Sequence, residues 1–567
     1  MYKIAIIDGY VDEPTCLGVP PYISPYPRYI AGGIWQHNPK NRILYLTIDQ
    51  IREKPALLKD VQYSDMVIIV TGMSVPGRYL SGFPLGPNET KKIMKKICHP
   101  LTVLTGPAAK YGYGVGGGKK TRRIEEYFDI SIPGDPEIVI NNLLENNLET
   151  SCVDLTRKRE NAESIKKFAV KGSKITNQHP FFPRYLIAEI ETYRGCPRAI
   201  YGGCSFCSEP SKGLPDFRPV EDVVAEVKNL YEQGARHFRI GNQPCIFSYH
   251  AEKVGKEEYP KPQPAVIEKL FKNIRRVAPD VKTLHIDNAN PGVIANYPKE
   301  SKTIAETIVK YHTSGDVAAF GVESVDPKVV EENNLKGNAK QIFEAIKILN
   351  EAGGKRGDNG LPELLPGINF VFGLKGETKD TYRQDYSFLE KILKNDLLIR
   401  RINIRQVVPI PGTKMFEVGT KIINKNKKYF KKFKRRVQKN IEKPLLKKLT
   451  PGGVVLKDVY LEKHRGKTTF GRQLGSYPLL VGIPGMYHLH EFIDVKIVDH
   501  GYRSITGVPY PLDLNKADMK TIKAIPRIGG KRARRVVRSR PIYSDKQVFE
   551  VLDDEMVAKR LLEYCCL

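Results

Sequence analysis

Three cysteines, Cys196, Cys204 and Cys207, stand close together directly after a segment that predicts a buried β-strand. That segment, residues 185–192, alternates apolar and polar side chains and carries β-branched residues. The thiols are therefore predicted at the carboxyl end of a strand, where α/β barrels carry their active sites. Three thiolates in a C-x7-C-x2-C array suit a soft metal centre. A zinc site normally needs a fourth protein ligand, whereas a [4Fe–4S] cluster with three thiolate ligands leaves one iron open to a small molecule.

The two ends of this array, Glu191–Cys196 and Cys204–Cys207, resemble the cluster loop of radical S-adenosylmethionine (radical SAM) enzymes. The usual family spacing is C-x3-C-x2-C, so the loop of this chain is longer between its first two cysteines. The resemblance implies that the three cysteines hold a [4Fe–4S] cluster. It also implies that the aromatic ring of Phe206 lies near the adenine of SAM. A structural zinc knuckle and a purely structural cluster are the alternatives.

Later segments, each at the end of a predicted strand, match other parts of the radical SAM core. The resemblance implies that the main chain at Gly241 and Asn242 contacts the amino group of SAM, although the common G-G-E motif is absent. It implies that Glu323 and Ser324 hold the ammonium and ribose of SAM, since a carboxylate and a hydroxyl can bind these groups. Gly373 is implied to lie beside the adenine. A capped turn before the next helix is the alternative for the Glu-Ser pair.

The 567 residues are too many for one hydrophobic core and predict about three to five domains. A strand–helix rhythm predicts parallel α/β structure, and residues 404–413 resemble the segment that closes the core in the methylthiotransferase branch. The predicted fold is multidomain α/β, with these units in order: 1–180, a Rossmann-like N-terminal domain; 181–415, the radical SAM core, a partial (β/α) barrel; 416–450, a basic helical linker; 451–511, a TRAM-like β-barrel; and 512–567, a helical helix-hairpin-helix domain.

The N-terminal unit lacks the sequence signatures of two further cofactors. It has no D-x-H-x-x-G motif, so cobalamin ligated by histidine is not supported. Thr71 and Thr105, rather than cysteines, follow two of its predicted strands, so a second cluster is not expected. Residues 114–118 are glycine-rich but lack the G-K-[ST] ending of a phosphate loop, and we interpret them as a surface loop. The other cysteines of this unit lie outside the predicted turns: Cys16, Cys98 and Cys152.

The formal net charge is +28, from 91 Lys+Arg against 63 Asp+Glu, and the excess is concentrated late in the chain. Such an excess usually indicates a polyanionic partner or a membrane surface. Residues 421–448 are strongly basic, with Tyr429, Phe430 and Phe433 interleaved, and they predict a helix that Pro444 should end. This charge suits contacts with phosphates. A solvated helix that only links domains is the alternative.

The last two predicted units resemble nucleic-acid-binding modules. Residues 451–511 have short strands and many glycines, and they resemble the TRAM module, a small β-barrel that grips RNA in tRNA-modifying enzymes. Residues 514–533 resemble a helix-hairpin-helix module, in which a Gly-Gly turn exposes backbone N–H groups to a phosphate. A hairpin that docks a protein is the alternative. The residues predicted to bind nucleic acid are Gly529, Gly530, Lys531, Arg532, Arg534 and Arg535.

The whole arrangement resembles archaeal radical SAM proteins with a C-terminal helix-hairpin-helix motif. The resemblance implies an external electron donor and a 5′-deoxyadenosyl radical made from SAM. We expect RNA as the substrate, with tRNA favoured and DNA as the second choice. The alternatives are a radical SAM enzyme that acts on a protein or small molecule, and a nucleic-acid binder with a structural cluster. Scattered cysteines, no signal peptide and no long apolar run predict a cytoplasmic protein without a membrane partner.

Overall fold

Residues 1–13, 17–72, 81–114 and 118–567 are described by the computed structural model; Cys16 and the centre of the predicted 114–118 loop lie outside them. The N-terminal unit contains a sheet of five parallel strands. Met66–Val70 is apolar and buried along its whole length, as its central position requires. In spatial order the strands are Arg42–Thr47, Lys3–Asp8, Met66–Val70, Leu101–Thr105 and Ile130–Ser131. The helices are Pro25–His37, Ile48–Glu53, Leu57–Val61, Pro87–Met94, Pro107–Tyr111, Pro136–Glu145 and Lys166–Gly172.

The middle of the chain forms two parallel four-stranded sheets joined through one interrupted strand. Asp287 separates the halves of this strand, which belong to different sheets. All carboxyl ends of parallel strands point to the same edge, so the loops that follow them are gathered there. One edge strand, Tyr22–Ile23, comes from the N-terminal unit and pairs with Ile187–Ala188. In spatial order the strands are Tyr22–Ile23, Ile187–Glu191, His237–Gly241, Thr283–Ile286, Asn288–Ala289, Asp316–Glu323, Leu364–Phe372 and Arg401–Gln406.

The core helices each bury one apolar face. In Val220–Glu232, the side chains of Val223, Val227 and Leu230 recur at helical spacing and are completely buried. Pro25–His37 also packs closely on its neighbours, because Gly32 lies directly against the backbone of Phe168, where a side chain would collide. The core helices are Val220–Glu232, Pro264–Val277, Pro291–Asn296, Pro298–Tyr311, Pro327–Glu332, Ala339–Gly353, Lys379–Lys394 and Lys414–Val418.

The basic segment is helical, but the prediction that Pro444 ends it is wrong. The α-helix Lys421–Val437 continues through a π-helical turn, Gln438–Glu442, into Lys443–Leu449. Proline has no N–H to donate and clashes with the preceding turn of a regular α-helix. The wider π turn lies directly before Pro444 and places it at the start of a new α-helical stretch, where its missing N–H is tolerated.

Five further strands close into a barrel, with one parallel pair, Leu480–Pro484 with Ser504–Pro509. The loop 474–479 joins two barrel strands and contacts the first of the two core sheets, which contains Tyr22–Ile23 and Thr283–Ile286. The backbone N–H of Ser476 donates to Nδ1 of His285 at 2.9 Å, and the hydroxyl of Tyr22 donates to the carbonyl of Gly475 at 2.9 Å. The barrel strands in spatial order are Val455–Arg465, Thr468–Gln473, Leu480–Pro484, Ser504–Pro509 and Phe492–His500.

The C-terminal unit is helical, has its own apolar cluster and is closed by the parallel strands Leu512–Asp513 and Cys565–Cys566. Its helices are Met519–Ala524, Gly530–Arg538, Asp545–Val551 and Glu555–Leu562. A multidomain α/β architecture with parallel sheets and a closed barrel is therefore confirmed. The domain boundaries and the TRAM and helix-hairpin-helix assignments stay predictions. Across the described part of the chain, no helix has the length and apolar character needed to span a bilayer.

Candidate cofactor site

The loop with the three cysteines follows the strand Ile187–Glu191. Its base is closed by an antiparallel pair, Tyr193–Arg194 with Asp216–Phe217. The backbone N–H of Cys196 also donates to the carbonyl of Gly213 at 2.9 Å, across the base of the loop. The thiols are thus held at the carboxyl edge of the core sheet, as the sequence predicts.

The longer spacer between the first two cysteines forms a surface projection. It contains a 3-10 turn, Ala199–Tyr201, after which Gly202 and Gly203 both take left-handed backbone angles, with φ of 81° and 55°. A side chain at Gly203 would collide with the ring of Pro210. Ile200 and Tyr201 at the tip are exposed. The tip of the spacer therefore points outward, whereas Arg198 near its start is buried and donates to Sγ of Cys204 at 3.6 Å.

The three thiols share one largely dry environment. Burial raises the pKa of Cys196 to about 11, and it raises the pKa of Cys204 and Cys207 as well. Lys336 interacts electrostatically with all three: burial acts to lower its pKa, but the thiols and Glu323 together raise it. Lys336 was missed by sequence reasoning because it lies in a loop between two helices with no motif around it. Its positive charge favours the thiolate forms that a metal centre needs.

The three thiol donors fit an iron–sulfur cluster. Within the described ranges, no group of three or more His, Cys, Asp or Glu side chains could hold one metal ion. A zinc knuckle needs its ligands gathered tightly around one centre. In a [4Fe–4S] cluster the three thiolates bind different irons, so they stand further apart. The charge of Cys204 nevertheless raises the pKa of both Cys196 and Cys207, so the three thiols lie near one another.

Glu323 ends the strand Asp316–Glu323 in a left-handed conformation, with φ of 63°, after a register shift in the strand. Its Oε2 atom is buried and has no hydrogen-bond partner among the described residues. Burial raises the pKa of Glu323 to about 7, against the opposing charges of Lys336 and Arg405. Oε1 of Glu323 and Nζ of Lys336 both lie against Gly321, where a side chain would collide. A buried carboxylate with a free oxygen is suited to receive an ammonium group.

Ser324 is engaged in a turn. Its hydroxyl donates to Asp385 at 3.0 Å and accepts from the backbone N–H of Asp326 at 3.2 Å. The backbone N–H of Val325 donates to the same carboxyl of Asp385, at 2.8 Å. These contacts support the turn interpretation of Ser324, in which it fixes the backbone that carries Glu323.

Gly241 and Asn242 are held by carboxylates of the neighbouring strand. The carboxylate of Glu189 fills the space beside Gly241, so any side chain at that position would collide. Glu189 also accepts from the backbone N–H of Asn242 at 3.1 Å, and Glu191 accepts from its side-chain amide at 3.1 Å. Asn242 has φ of 33°, so its backbone is bent at the edge where the cofactor is predicted.

A buried charge network supports this edge. Arg239 donates to Glu189 at 2.8 Å and forms a second ion pair with Asp287, and all three side chains are at most 1% exposed. Sequence reasoning missed this network, although Glu189 and Arg239 alternate with apolar residues in their strands. Charged side chains at alternate positions of a buried strand indicate a polar interior face, and that signal was available.

Phe206 and Gly373 both contact the apolar cluster that contains Cys204. Phe206 packs in the same apolar cluster as Cys204, and this cluster includes Ile423 of the basic helix. Gly373 has φ of 93° and lies against Ile423, and its N–H donates to Glu377. The structure therefore gathers the predicted cluster and SAM residues along one edge of the core.

The six predicted nucleic-acid residues belong to the separate C-terminal unit. Gly529 and Gly530 have open space where a side chain would lie, and no side chain caps the helix that begins there. Arg532 and Arg535 are ion-paired with Asp553, at 2.9 and 3.1 Å. The two other cations have no carboxylate partner in the described part of the chain: Lys531 and Arg534.

The chain is similar to several known proteins. Residues 190–389 match the Radical SAM superfamily. An uncharacterized protein of Methanocaldococcus jannaschii is 49% identical over 512 residues, which cover 89% of this chain and 93% of that protein. A protein of Archaeoglobus fulgidus is 42% identical over 546 residues, which cover 96% of this chain and 97% of that protein. The solved radical SAM methyltransferase TsrM of Kitasatospora setae aligns with a TM-score of 0.49 and 15% identity, over 73% of this chain and 75% of that one.

Proposed function

This chain belongs to the radical SAM superfamily of enzymes, and from that premise we propose that it modifies RNA, with tRNA as the favoured substrate. Its cofactors are a [4Fe–4S] cluster and SAM, which supply one-electron chemistry when bound. The residues of the chain bind and orient these groups and keep water away. Fold and family do not name the substrate, so the choice of RNA depends on the surface around the site.

The roles at the site follow from the contacts. Cys196, Cys204 and Cys207 hold the cluster, and Lys336 offsets the negative charge of the buried thiolates. The free buried oxygen of Glu323 receives the ammonium group of SAM. The carboxylates behind Gly241 and Asn242 set the backbone that faces the same molecule, and Ser324 positions Glu323 through its turn.

The observation that carries the RNA proposal is the position of the basic helix. Its first turn packs beside the cysteine site, because Ile423 and Cys204 belong to the same group of packed apolar residues. Its interleaved aromatics point inward: Phe433 is buried against Phe370 and Phe372. The opposite face carries exposed cations three or four residues apart, without carboxylate partners in the described ranges, and we call them the basic stripe: Lys421, Lys425, Lys428, Lys432, Arg435 and Lys439.

A cationic helix that starts at the site and runs away from it can lead a phosphate backbone to the reacting centre. The helix Lys421–Val437 is about 25 Å long at 1.5 Å per residue. The small barrel and the C-terminal hairpin extend the positively charged part of the chain beyond it. These units contribute orientation, since backbone contacts position a nucleic acid without reading its sequence.

The experiment is an anaerobic assay of the reconstituted enzyme with reductant, SAM and either tRNA, duplex DNA or no nucleic acid. We expect tRNA to increase 5′-deoxyadenosine formation and to gain a modified nucleoside, detected by mass spectrometry. A variant with Lys425, Lys428 and Lys432 changed to Gln should lose this stimulation but keep its cluster. SAM cleavage that tRNA leaves unchanged, with no altered nucleoside, would exclude RNA and point to a protein or metabolite substrate.

A further inference from the structure

A cavity of about 120 Å³ lies between the N-terminal unit and the core. Gly106 and Gly134 line it from one side, after strands of the N-terminal sheet. Glu191 and Asn242 line it from the other side, at the carboxyl ends of two core strands. Ligands of open parallel sheets bind outside the carboxyl ends of the strands. Here the carboxyl edges of two sheets face one space, which adjoins the predicted cofactor site at Asn242.

The lining of the cavity is rich in cations: Lys110, Lys158, Arg159, Arg194 and Lys212. Three of them already have carboxylate partners. Arg159 pairs with Glu191 at 2.5 Å, Arg194 with Asp135 at 2.6 Å, and Lys212 with Glu209 at 2.6 Å. The remaining two, Lys110 and Lys158, form no ion pair with any described residue.

The cations are crowded enough to repel one another. Burial lowers the pKa of Lys110, and the nearby charges of Lys212, Lys158 and Arg194 lower it further, against the opposing charge of Asp135. The acids on the wall compensate only in part: burial raises the pKa of Glu13, and raises that of Glu137 to about 7. An excess of positive charge in a partly enclosed cavity favours an anion.

An unused hydrogen-bond donor is a second, independent sign of a ligand. Arg159 lines the cavity and is 6% exposed, yet its Nε atom is buried without a hydrogen-bond partner among the described residues. A buried donor without a partner is costly unless a bound molecule supplies an acceptor. The guanidinium of Arg159 also connects the cavity with the cofactor site, because its partner Glu191 accepts from Asn242.

We propose that this cavity binds the anionic head group, phosphate or carboxylate, of a ligand that extends toward Asn242. A cavity of about 120 Å³ has room for one such group. Lys110 and Lys158 provide the unpaired charge, and Arg159 provides the free N–H. The proposal that an anion binds here depends only on the cavity. The proposal that this anion is part of the substrate rests on the proposed function.

The test uses calorimetric titration of inorganic phosphate into the full-length, cluster-loaded protein with SAM, at constant ionic strength. We expect one saturable site and about tenfold weaker binding in Lys110→Gln, since charge-assisted hydrogen bonds are lost. Lys110→Arg should keep the affinity within about threefold because the charge is retained. The matched control is Lys92→Gln, an exposed lysine on the helix Pro87–Met94 of the same unit.

Cluster content and SAM affinity should be unchanged in all three variants, which shows that they are folded. Absence of saturable phosphate binding to the wild type, or equal affinities of Lys110→Gln and Lys92→Gln, would overturn the proposal. A tRNA-binding series then distinguishes two sources of the anion. If the head group belongs to RNA, Lys110→Gln weakens tRNA binding more than Lys92→Gln does. If it belongs to a free acid, both variants bind tRNA alike while phosphate binding still falls.

Protein that binds phosphate in this manner but shows no RNA-dependent chemistry would contradict only the RNA proposal. The two failures are therefore separable.

Discussion

The cofactor site and the C-terminal hairpin both depend on charge, but they keep it in opposite environments. Around Gly241 the charges of Glu189, Arg239 and Asp287 are buried and paired with one another. At the hairpin, Lys531 and Arg534 are exposed and have no carboxylate partner among the described residues. Buried charges interact strongly and are little affected by salt, whereas exposed charges are screened. The buried set suits fixed positioning of a cofactor, and the exposed set suits the sum of many weak phosphate contacts.

The strongest test of this contrast is removal of one thiol from the buried site. Cys204→Ala should abolish stable cluster binding, because a [4Fe–4S] cluster would be left with two protein thiolates. The matched control is Cys152→Ala, an exposed cysteine in the N-terminal unit. Iron and sulfide content and visible absorbance of anaerobically purified protein give the result. Full iron content in Cys204→Ala would contradict the assigned cluster site.

The second test removes a buried charge and compares it with an exposed one. Arg239→Met leaves the carboxylates of Glu189 and Asp287 without their partner, so we expect a loss of about 3–5 kcal/mol in the free energy of unfolding. Arg534→Met removes the same type of charge from the hairpin and should cost about 0.5 kcal/mol or less. Urea unfolding followed by circular dichroism measures both. Similar losses would show that the environments do not differ as described.

The third test uses pH, because the two regions should respond with opposite sign. Burial raises the pKa of Asp385, beneath Ser324, to about 8. The folded state therefore binds a proton that the unfolded state releases near pH 4, so this group makes stability fall as pH rises from about 4 to about 8. Asp385→Asn should remove that fall, a relative gain of about 1–3 kcal/mol between pH 6 and pH 8.

Asp553 of the hairpin region is the counterpart. Its pKa is lowered by its hydrogen bond to Arg532, so its contribution is present above the unfolded-state pKa and is lost as pH falls through the folded-state value. Asp553→Asn should therefore lower stability slightly at neutral pH, and its difference from the wild type should disappear in acid. Unfolding midpoints measured from pH 4 to pH 8 separate the two cases, and a parallel pH profile for Asp385→Asn and the wild type would contradict the first.

The features that the sequence predicts well are local. The strand before Cys196, the helix in the basic segment and the Gly-Gly turn at residue 529 each depend on neighbours in the chain. The parallel strands of the N-terminal sheet were likewise predictable, because their apolar runs are short and bounded by turns. Such patterns predict directly whether a segment forms a strand, a helix or a turn.

The features that the sequence did not predict are contacts between distant segments. Alternation shows that Arg239 faces the interior, but not that Asp287 pairs with it. Nothing around Lys336 marks it as a neighbour of the cysteines. The loop 474–479 contacts His285, 191 residues before Ser476 in the chain, and no local pattern in either segment indicates this contact. For Pro444, the rule for regular helices gave the wrong result because a π turn precedes it.

The smallest expected effects are at the hairpin, where each cation contributes little. Lys531→Ala and Arg534→Ala should each weaken tRNA and duplex DNA binding about two- to fivefold at low salt, and alike for both nucleic acids, because phosphate contacts carry no sequence information. Each should also reduce the slope of log affinity against log salt by about 1, since one phosphate contact and its released counterion are lost. The matched control is Arg538→Ala, an exposed cation in the last turn of the same helix, away from the open Gly529–Gly530 end. Filter binding at several salt concentrations measures affinity and slope together. If Arg538→Ala changes the slope as much as Lys531→Ala, then the hairpin contributes only general charge and not a phosphate site at its open end.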